Sequence, residues 1–351
     1  MTILSAFLDG ICGRLGTVPK LKPFYGDIEA HYDLSNEFFA LWLDPTMTYT
    51  CAYWPRPGMT LEEAQLAKID LTLEKLNLKP GMTLLDIGCG WGSALLRAYE
   101  KYDVNVIGLT ISTEQYDYLR AKFDQLDGPR KAEVLLQGWE EFEGKADRII
   151  TIGSFEHFRY ERHDAYWDKV AEILPDDGVY LLHTIVWHTF EEWQKRGTPL
   201  NGTGLRFLYL LTRYIFPGAQ LPTPQMVFTD SARVGFRCDN MQWLGLHYAK
   251  TLQTWRENLR ANKDRAIELT SPETFRIYDK YLEGCEHYFR AGQINLIQFT
   301  LTKQQPEWLG PDRGQIDLGG FQIDRNFVPN ARRTKVAKQS WQEQAESSER
   351  G

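Results

Sequence analysis

The sequence predicts an α/β protein built around a largely parallel β-sheet. Short apolar segments suited to buried strands alternate with helical patterns between Thr60 and Trp187. The loop after the first of these segments is rich in glycine, as expected where a strand leads into a helix beside a ligand. The chain of 351 residues, 43% of them hydrophobic, is long enough to bury one large core or two smaller ones.

The first elements precede the sheet. Aromatic residues at roughly helical spacing occupy residues 24–44 and predict helical structure there. Thr60 and Glu63 have the spacing of a capping box, which marks the start of a helix. The helix is predicted to bury the apolar residues Leu61, Ala64, Ala67, Ile69, Leu73 and Leu76. These segments form a set of N-terminal helices.

Five strands and three helices then alternate. Strands are predicted over residues 82–87, 104–109, 133–137, 147–152 and 179–186, and helices over 92–101, 112–125 and 164–174. Because each helix crosses from one strand to the next, the strands should be parallel.

The pattern changes after Trp187. Residues 188–225 are basic, aromatic and aliphatic, and they predict a helical insertion such as a lid. Two more strands follow, over 236–246 and 294–302, with helices over 252–269 and 272–290 between them. Beyond Lys303 apolar residues become sparse. We therefore expect an N-terminal extension over 1–24, a folded domain over 25–303 and a disordered tail over 304–351.

Composition excludes several classes of protein. A formal charge of −7 argues against a nucleic-acid partner, which needs a basic surface. Five cysteines without a CxxC pair indicate neither a metal site nor a disulfide framework. The N-terminus lacks the pattern of a signal peptide, and no apolar run is long enough to span a membrane. These features predict a soluble cytoplasmic protein.

The glycine-rich loop is the main chemical signal. Residues 86–92 read D-x-G-x-G-x-G between a predicted strand and a predicted helix. Glycines let the backbone approach a ligand closely, at the sheet edge where α/β proteins bind ligands. This spacing is typical of class I methyltransferases that use S-adenosylmethionine, whereas the third glycine of the dinucleotide fingerprint falls one residue later. A purely structural strand-to-helix turn is the alternative.

The second strand departs from both ligand schemes. It normally ends in an acid that holds the ribose hydroxyls of the ligand. Here it is followed by Thr110, Ile111 and Ser112, with no acid at its end. This absence weakens a generic dinucleotide or methyltransferase assignment and indicates a narrower family.

Seven motifs resemble those of the cyclopropane fatty acid synthase family, in particular the mycolic acid cyclopropane synthases and their methylating relatives. They are AHYDLSNEFFALWLDPTMTYTCAYW (30–54), LLDIGCGWG (84–92), GLTIS (108–112), GSFEHF (153–158), LLHTI (181–185), HYAKTL (247–252) and YLEGC (281–285). The resemblance extends from about Tyr25 to Lys303. It implies a class I methyltransferase (Rossmann-like) fold with a seven-stranded sheet, N-terminal helices and a helical lid insertion.

The resemblance also implies a set of S-adenosylmethionine contacts. Residues 110–115 would replace the usual acid, and Trp139 and Glu140 would lie near the adenine. The implied contacts are Tyr49, Thr50, Leu85, Asp86, Gly88, Cys89, Gly90, Trp91, Gly92, Thr110, Ser112, Gln115, Trp139 and Glu140.

The family's chemistry defines what else the site needs. Its members add the sulfonium methyl group to an unactivated alkene, and proton loss from the resulting carbocation closes a cyclopropane ring. Such a site needs an apolar tunnel, aromatic faces toward the cation and exclusion of water. In this family a bound bicarbonate ion is the base, and a buried anion needs hydrogen-bond donors around it.

The matching residues follow by resemblance. His183, Tyr248 and backbone N–H groups near Cys51 and Ile152 would hold the ion, and Glu156 would accept its hydroxyl hydrogen. Cys285 matches a cysteine regarded as active in relatives, and Tyr32 and Phe158 would face the cation. Each has a plainer interpretation: Glu156 as a solvated carboxylate, His183 as a core histidine and Cys285 as an inert buried thiol.

The implied substrate is a long unsaturated acyl chain on an acyl carrier protein. Arg206 and Arg213, near Lys195 and Arg196, are candidates for contacting an acidic carrier, and peripheral membrane contact stays open. The cation could instead end as a methyl branch or an alcohol. A small-molecule methyltransferase and a non-catalytic lipid-carrier binder are the alternatives, and a nicotinamide oxidoreductase is disfavoured by the loop spacing.

Overall fold

A computed structural model describes residue 21 and residues 34–195, 197 and 201–303. Tyr32, Arg196, the tail over 304–351 and all of the N-terminal extension except Leu21 lie outside the described residues.

A seven-stranded sheet forms the centre of the fold. The strands are β1 (Thr83–Ile87), β2 (Asn105–Thr110), β3 (Ala132–Leu136), β4 (Arg148–Ile152), β5 (Val179–Trp187), β6 (Arg237–Trp243) and β7 (Ile294–Thr302). Their order across the sheet is β3-β2-β1-β4-β5-β7-β6, with β1 to β5 parallel and β7 antiparallel to both β5 and β6. The predicted fold class is confirmed, and all seven predicted strands are present.

Helices cover both faces of the sheet. They include α1 (Asn36–Ala40), α2 (Leu61–Glu74), α3 (Ser93–Tyr102), α4 (Thr113–Phe123) and α5 (His163–Ile173). The capping box of α2 is present, with the Thr60 hydroxyl accepting from the Glu63 N–H and the Glu63 carboxylate accepting from the Thr60 N–H. This reciprocal pair starts the helix where the sequence predicts it.

Two helical predictions need correction. Within the described part of 24–44, only the five residues of α1 are α-helical, because Asp44 accepts from the backbone N–H groups of Thr46 and Thr48 and so favours a turn. The helix predicted over 252–269 is two helices, α9 (Gly245–Ala261) and α10 (Lys263–Leu269), separated at Asn262. The Asn262 amide binds the carbonyls of Leu41 and Asn258, which ends α9.

The segment after β5 is helical, as predicted. It contains α6 (Phe190–Lys195), α7 (Gly202–Leu210), a π-helical turn (Leu211–Ile215) and α8 (Pro224–Arg233). The Phe207 ring of α7 stacks on Tyr288 of α11 (Pro272–Arg290) with centroids 5.2 Å apart. Phe216 meets Tyr281 of α11 edge-on at 5.5 Å. These ring contacts fix the segment against the helical layer.

An aromatic cluster joins this helical layer to the sheet. Phe38, Phe39 and Trp42 of the α1 region pack with Trp255 of α9 and Tyr278 of α11. Trp91, directly after β1, belongs to the same cluster, and its indole N–H donates to Asn36 Oδ1 at 2.7 Å. The cluster therefore anchors α1, α9 and α11 at the carboxyl end of the parallel strands. No helix among the described residues is long and apolar enough to cross a membrane.

Candidate active site

A large cleft lies where β1, β2 and β4 end. Its empty volume, including space open to solvent, is about 1170 Å³. Twelve of the fourteen residues expected to bind the cofactor line it: Tyr49, Thr50, Asp86, Gly88, Cys89, Gly90, Trp91, Thr110, Ser112, Gln115, Trp139 and Glu140. The tertiary structure therefore brings four separate sequence segments together around one space.

The glycine loop forms the floor of this cleft. Gly88 has a φ of +83°, and a Cβ there would lie 2.4 Å from Cβ of Ser154. Gly90 has a φ of +56° and no atom within 4 Å of its would-be Cβ, so its backbone is open to the cleft. Leu85 and Gly92 do not line the cleft, because Leu85 is buried in the core and Gly92 is the N-cap of α3.

Asp86 is the buried acid of the cleft. Its Oδ1 has no hydrogen-bond partner among the described residues, although its side chain is almost fully buried. Burial raises the pKa of Asp86 to about 7, and the nearby Lys68 ammonium opposes that rise. A buried carboxylate oxygen facing a cleft needs a donor, which a bound ligand can supply.

Lys68 was missed by the sequence reasoning. It lies on the buried face of α2, and its Nζ donates to the Thr50 hydroxyl at 2.9 Å. Burial lowers the pKa of Lys68 to about 8, and the nearby Asp44 and Asp86 carboxylates oppose that shift. Its sequence signal was a lysine inside the apolar pattern of a capped helix, where a charge is unexpected unless it has a partner.

Neutral polar groups occupy the place of the missing acid after β2. The Thr110 hydroxyl donates to Gln115 Oε1 at 2.8 Å and accepts from the Ser112 N–H at 3.2 Å. Because the Gln115 oxygen is occupied, its amide NH₂ is the group left to meet a ligand. At the other side, Glu140 accepts from Arg162 at 2.7 Å, and Trp139 packs edge-on against Tyr166. Burial raises the pKa of Glu140.

A second, smaller cavity adjoins the first. Tyr49, Thr50, Gly153 and His157 line both spaces, so the two share a wall of four residues. The second has an empty volume of about 550 Å³. Its remaining lining is mostly apolar or aromatic (Ile185, Phe216, Ala219, Leu221, Tyr281 and Leu296) with three polar residues, Glu156, His183 and Tyr248. Three predicted catalytic residues from three elements therefore meet in one apolar space.

Glu156 lies on a single 3₁₀ turn (Phe155–His157) just after β4. Its Oε1 accepts from the Ile185 N–H at 2.6 Å, and its Oε2 has no partner among the described residues. Burial raises the pKa of Glu156 to about 7, and the bond from Ile185 opposes the rise. One oxygen of the carboxyl group is thus held in place, and the other is buried and available to a ligand in the cavity.

His183 and Tyr248 complete the polar end of the cavity. His183 Nδ1 lies 3.1 Å from the Gln298 side-chain amide, and Nε2 has no partner among the described residues. Burial, with the charges of Lys68 and Lys75, lowers the pKa of His183 well below its usual range. The Tyr248 ring on α9 packs against Phe289 at 4.8 Å, and burial raises the pKa of its hydroxyl. The two buried atoms without a partner among the described residues, Glu156 Oε2 and His183 Nε2, therefore suit a small polar ion.

The other predicted residues lie outside the second cavity. The Cys51 thiol is turned toward the carbonyls of Ala52 and Leu244, and Ile152 lines the first cleft. Cys285 lies on α11, lines neither cavity, and burial raises the pKa of its thiol well above the usual value. Phe158 lines the first cleft beside Trp139. His157, which is not among the predicted site residues, lines both cavities.

Comparison with known proteins places this geometry in a family. The family model described as mycolic acid cyclopropane synthetase matches residues 20–299. The chain is 52% identical over 284 residues to the S-adenosylmethionine-dependent methyltransferase UmaA of Mycobacterium tuberculosis, covering 81% of this chain and 99% of that protein. It is 51% identical, with the same coverage, to cyclopropane mycolic acid synthase 3 of that organism.

Solved structures agree with these matches. The cyclopropane synthase MmaA2 from Mycobacterium tuberculosis superposes with a TM-score of 0.79 at 52% identity, covering 80% of this chain and 99% of that one. The mycolic acid cyclopropane synthase CmaA1, complexed with SAH and CTAB, gives the same TM-score and coverage at 51% identity.

Proposed function

Because the chain belongs to the mycolic acid cyclopropane synthetase family, we propose that it transfers a methylene group from S-adenosylmethionine to a cis double bond of a long, mycolic-acid-type acyl chain, closing a cyclopropane ring. Relatives that share 51–52% sequence identity with this chain are named as an S-adenosylmethionine-dependent methyltransferase and as a cyclopropane mycolic acid synthase. The chain is accordingly an S-adenosylmethionine-dependent methyltransferase.

The observation that carries the proposal is the pair of adjoining cavities. The larger one has the glycine floor, the buried Asp86 oxygen that lacks a partner among the described residues, and the Gln115 amide, which suit a polar nucleoside ligand. The smaller one is mostly apolar and ends in Glu156, His183 and Tyr248. A polar cofactor and an apolar chain would therefore meet at the shared wall of Tyr49, Thr50, Gly153 and His157.

Each cavity wall supports a step of the chemistry. S-adenosylmethionine, when bound, supplies an electrophilic methyl group. Tyr49, held by a hydrogen bond between its hydroxyl and that of Tyr281 at 3.0 Å, offers an aromatic ring at the shared wall that can stabilise positive charge. Phe216 and Leu221 help to keep water away from that charge.

We further propose that Glu156, His183 and Tyr248 hold a bicarbonate ion. The backbone N–H groups that follow Cys51 and Ile152 already have partners, because Ala52 donates to the Thr251 hydroxyl and Gly153 to the His183 carbonyl. The unpartnered Glu156 Oε2 and His183 Nε2 support the ion site, because a bicarbonate ion can both donate to a carboxylate and accept from an imidazole N–H. A bicarbonate ion bound there would accept the proton lost on ring closure. Among the described residues that line this cavity, Glu156 is the only acidic one. No other carboxylate there competes with the ion for hydrogen-bond donors.

Gly153 favours a cyclopropane product over an alcohol. This residue lines both cavities, has a φ of +72° and offers no side chain to hold a water molecule. A methyl-branched product is the second candidate, since UmaA is named only as a methyltransferase.

We also propose that residues 188–225 act as a lid and that an acyl carrier protein delivers the substrate. Phe216 and Leu221 of this segment line the second cavity, which supports a role over the acyl chain. Arg206 and Arg213 are exposed on the same segment, where they could meet an acidic carrier. Reversing both charges should weaken use of carrier-bound chains and leave the affinity for S-adenosylhomocysteine unchanged. An unchanged response to the carrier would contradict this docking site.

The reaction itself is tested with a methyl-deuterated donor and cis-unsaturated acyl chains, free and carrier-bound. Cyclopropanation should retain two of the three methyl deuteriums in the lipid, whereas a methyl branch should retain all three, and NMR then identifies the ring. Calorimetry with S-adenosylhomocysteine serves as the control for a folded cofactor site. Binding of S-adenosylhomocysteine without label in any unsaturated lipid would refute the proposed function.

A further inference from the structure

A row of polar side chains crosses the sheet beside the second cavity. His183 of β5 is the direct cross-strand partner of Gln298 of β7, and Gln298 is in turn the partner of Gln242 of β6. All three are fully buried. Directly opposed residues of neighbouring strands point to the same face, so the three side chains form a continuous line. Thr72 and Lys75, from the end of α2, cover this line.

The orientation of the Gln298 amide is determined by its neighbours. Lys75 Nζ lies 2.7 Å from Gln298 Oε1, and an ammonium group can only donate. Gln298 Nε2 lies 3.0 Å from the Thr72 hydroxyl oxygen, and that hydroxyl donates its own hydrogen to the Lys68 carbonyl at 2.9 Å. A reversed amide would place its NH₂ against the ammonium and leave its oxygen without a donor at Thr72. Gln298 therefore presents its NH₂ group to Thr72 and His183.

The tautomer of His183 follows from this orientation. Gln298 Nε2 lies 3.1 Å from His183 Nδ1, and an amide nitrogen cannot accept a hydrogen bond. Nδ1 must therefore be the acceptor, which places the single ring proton of the neutral imidazole on Nε2. A doubly protonated ring would set an N–H against the amide NH₂. His183 is thus a neutral donor whose Nε2–H has no protein partner among the described residues.

We propose that Gln298 is a positioning residue which, oriented by Lys75 and Thr72, holds His183 as its Nε2–H tautomer and so presents a fixed N–H donor to the anion in the second cavity. This role rests on the proposed function, because the anion is the bicarbonate ion assigned there. It also assigns His183 to binding the ion and excludes it from taking the proton itself, since its free nitrogen already carries one.

Gln298→Glu tests the proposal with almost no change of shape. A carboxylate at this position still accepts from Lys75, but it accepts from His183 as well, so it should shift the ring proton to Nδ1. Nε2 would then present a lone pair to the anion. Gln242→Glu is the matched control, because it introduces the same charge beside the same Lys75 ammonium, one strand away and without contact to His183.

Two measurements separate the possible failures. Two-bond ¹H–¹⁵N spectra of histidine-labelled protein, with His183 assigned through His183→Gln, should show the Nε2–H form in the wild type and in Gln242→Glu, and the Nδ1–H form in Gln298→Glu. The bicarbonate concentration for half-maximal methylene transfer should rise by about tenfold or more in Gln298→Glu only, the loss expected for one hydrogen bond to a charged group. The affinity for S-adenosylhomocysteine should be the same in all three proteins.

The wild-type spectrum alone decides the tautomer, even where a variant fails to fold. An Nδ1–H form in the wild type, or an unchanged tautomer in Gln298→Glu, would overturn the positioning role. A shifted tautomer with an unchanged bicarbonate response would overturn the link to the anion. A wild type with the Nε2–H form that methylates no lipid would instead show that the proposed function is wrong while the tautomer assignment stands.

Discussion

Replacing Glu156 with glutamine should make the protein inactive and, at alkaline pH, more stable. The carboxyl group is buried, and its pKa is raised from 4.5 to about 7. A carboxyl group whose pKa is raised by folding contributes stability at pH values below its pKa in the unfolded chain. That contribution is lost as the pH rises through its pKa in the folded protein. Wild-type stability should therefore fall between about pH 4.5 and about pH 7 from this group alone.

The magnitude follows from the same two values. At about 1.4 kcal/mol per pH unit, the interval from 4.5 to about 7 corresponds to about 3 kcal/mol once the group is fully ionised. Roughly 1 kcal/mol of that loss is already present near pH 5, where the unfolded chain is partly ionised. The gain in stability of Glu156→Gln over the wild type should thus be about 2 kcal/mol larger near pH 8 than near pH 5.

The pH dependence isolates the charge from other effects of the substitution. The glutamine oxygen can still accept from the Ile185 N–H, and any cost of the unpaired amide NH₂ is the same at both pH values. Urea unfolding of both proteins in bicarbonate-free buffer measures the difference. Glu133→Gln, at an exposed position on β3, is the control for removing a surface carboxylate and is measured at the same two pH values. An equal stability difference at both pH values would refute the assignment of a buried, costly carboxylate at Glu156.

Three further predictions concern the cofactor loop, the first capped helix and the buried thiol. Gly90→Ala places a Cβ at a φ of +56°, which costs about 1–2 kcal/mol. The variant should bind S-adenosylhomocysteine more weakly in calorimetry. Unchanged affinity would mean that Gly90 does not face the ligand. Thr60→Ala removes the capping box and should lower the free energy of unfolding by about 1 kcal/mol with activity retained, whereas Glu62→Ala in the same turn should cost less. Cys285→Ala should retain most of the activity, because the thiol lines neither cavity and burial keeps its pKa high. Loss of turnover with intact cofactor binding would instead indicate a chemical role for Cys285.

Much of the fold was predictable because its signals are local. The capping box at Thr60 and the glycines between β1 and α3 are short patterns whose geometry depends on near neighbours. Of the two wrong helical predictions, the one over 24–44 failed through the local turn at Asp44, and the one over 252–269 involves a distant contact. Asn262 ends α9 by binding the carbonyl of Asn258 in the last turn and also the carbonyl of Leu41, 221 residues away in sequence.

The candidate site divides in the same way. The family resemblance identified Glu156, His183 and Tyr248, and the structure places all three in one cavity. The lysine that anchors Thr50 and the glutamine that orients His183 were missed. Lys68 is signalled only by its place within the apolar pattern of α2, and Gln298 is a single polar residue within the buried strand β7. Only their buried partners show why polar side chains lie there.

The sequence by itself determined the order of strands and helices, the cofactor loop and the family, because these are encoded in local periodicity and in short motifs. Tertiary structure decided which nitrogen of His183 carries the proton. That result depends on Gln298, 115 residues from His183, and on Lys75, 223 residues from Gln298. Hydrogen-bond direction is a property of groups in contact, and only the packing of α2 on the folded sheet brings Lys75, Gln298 and His183 together.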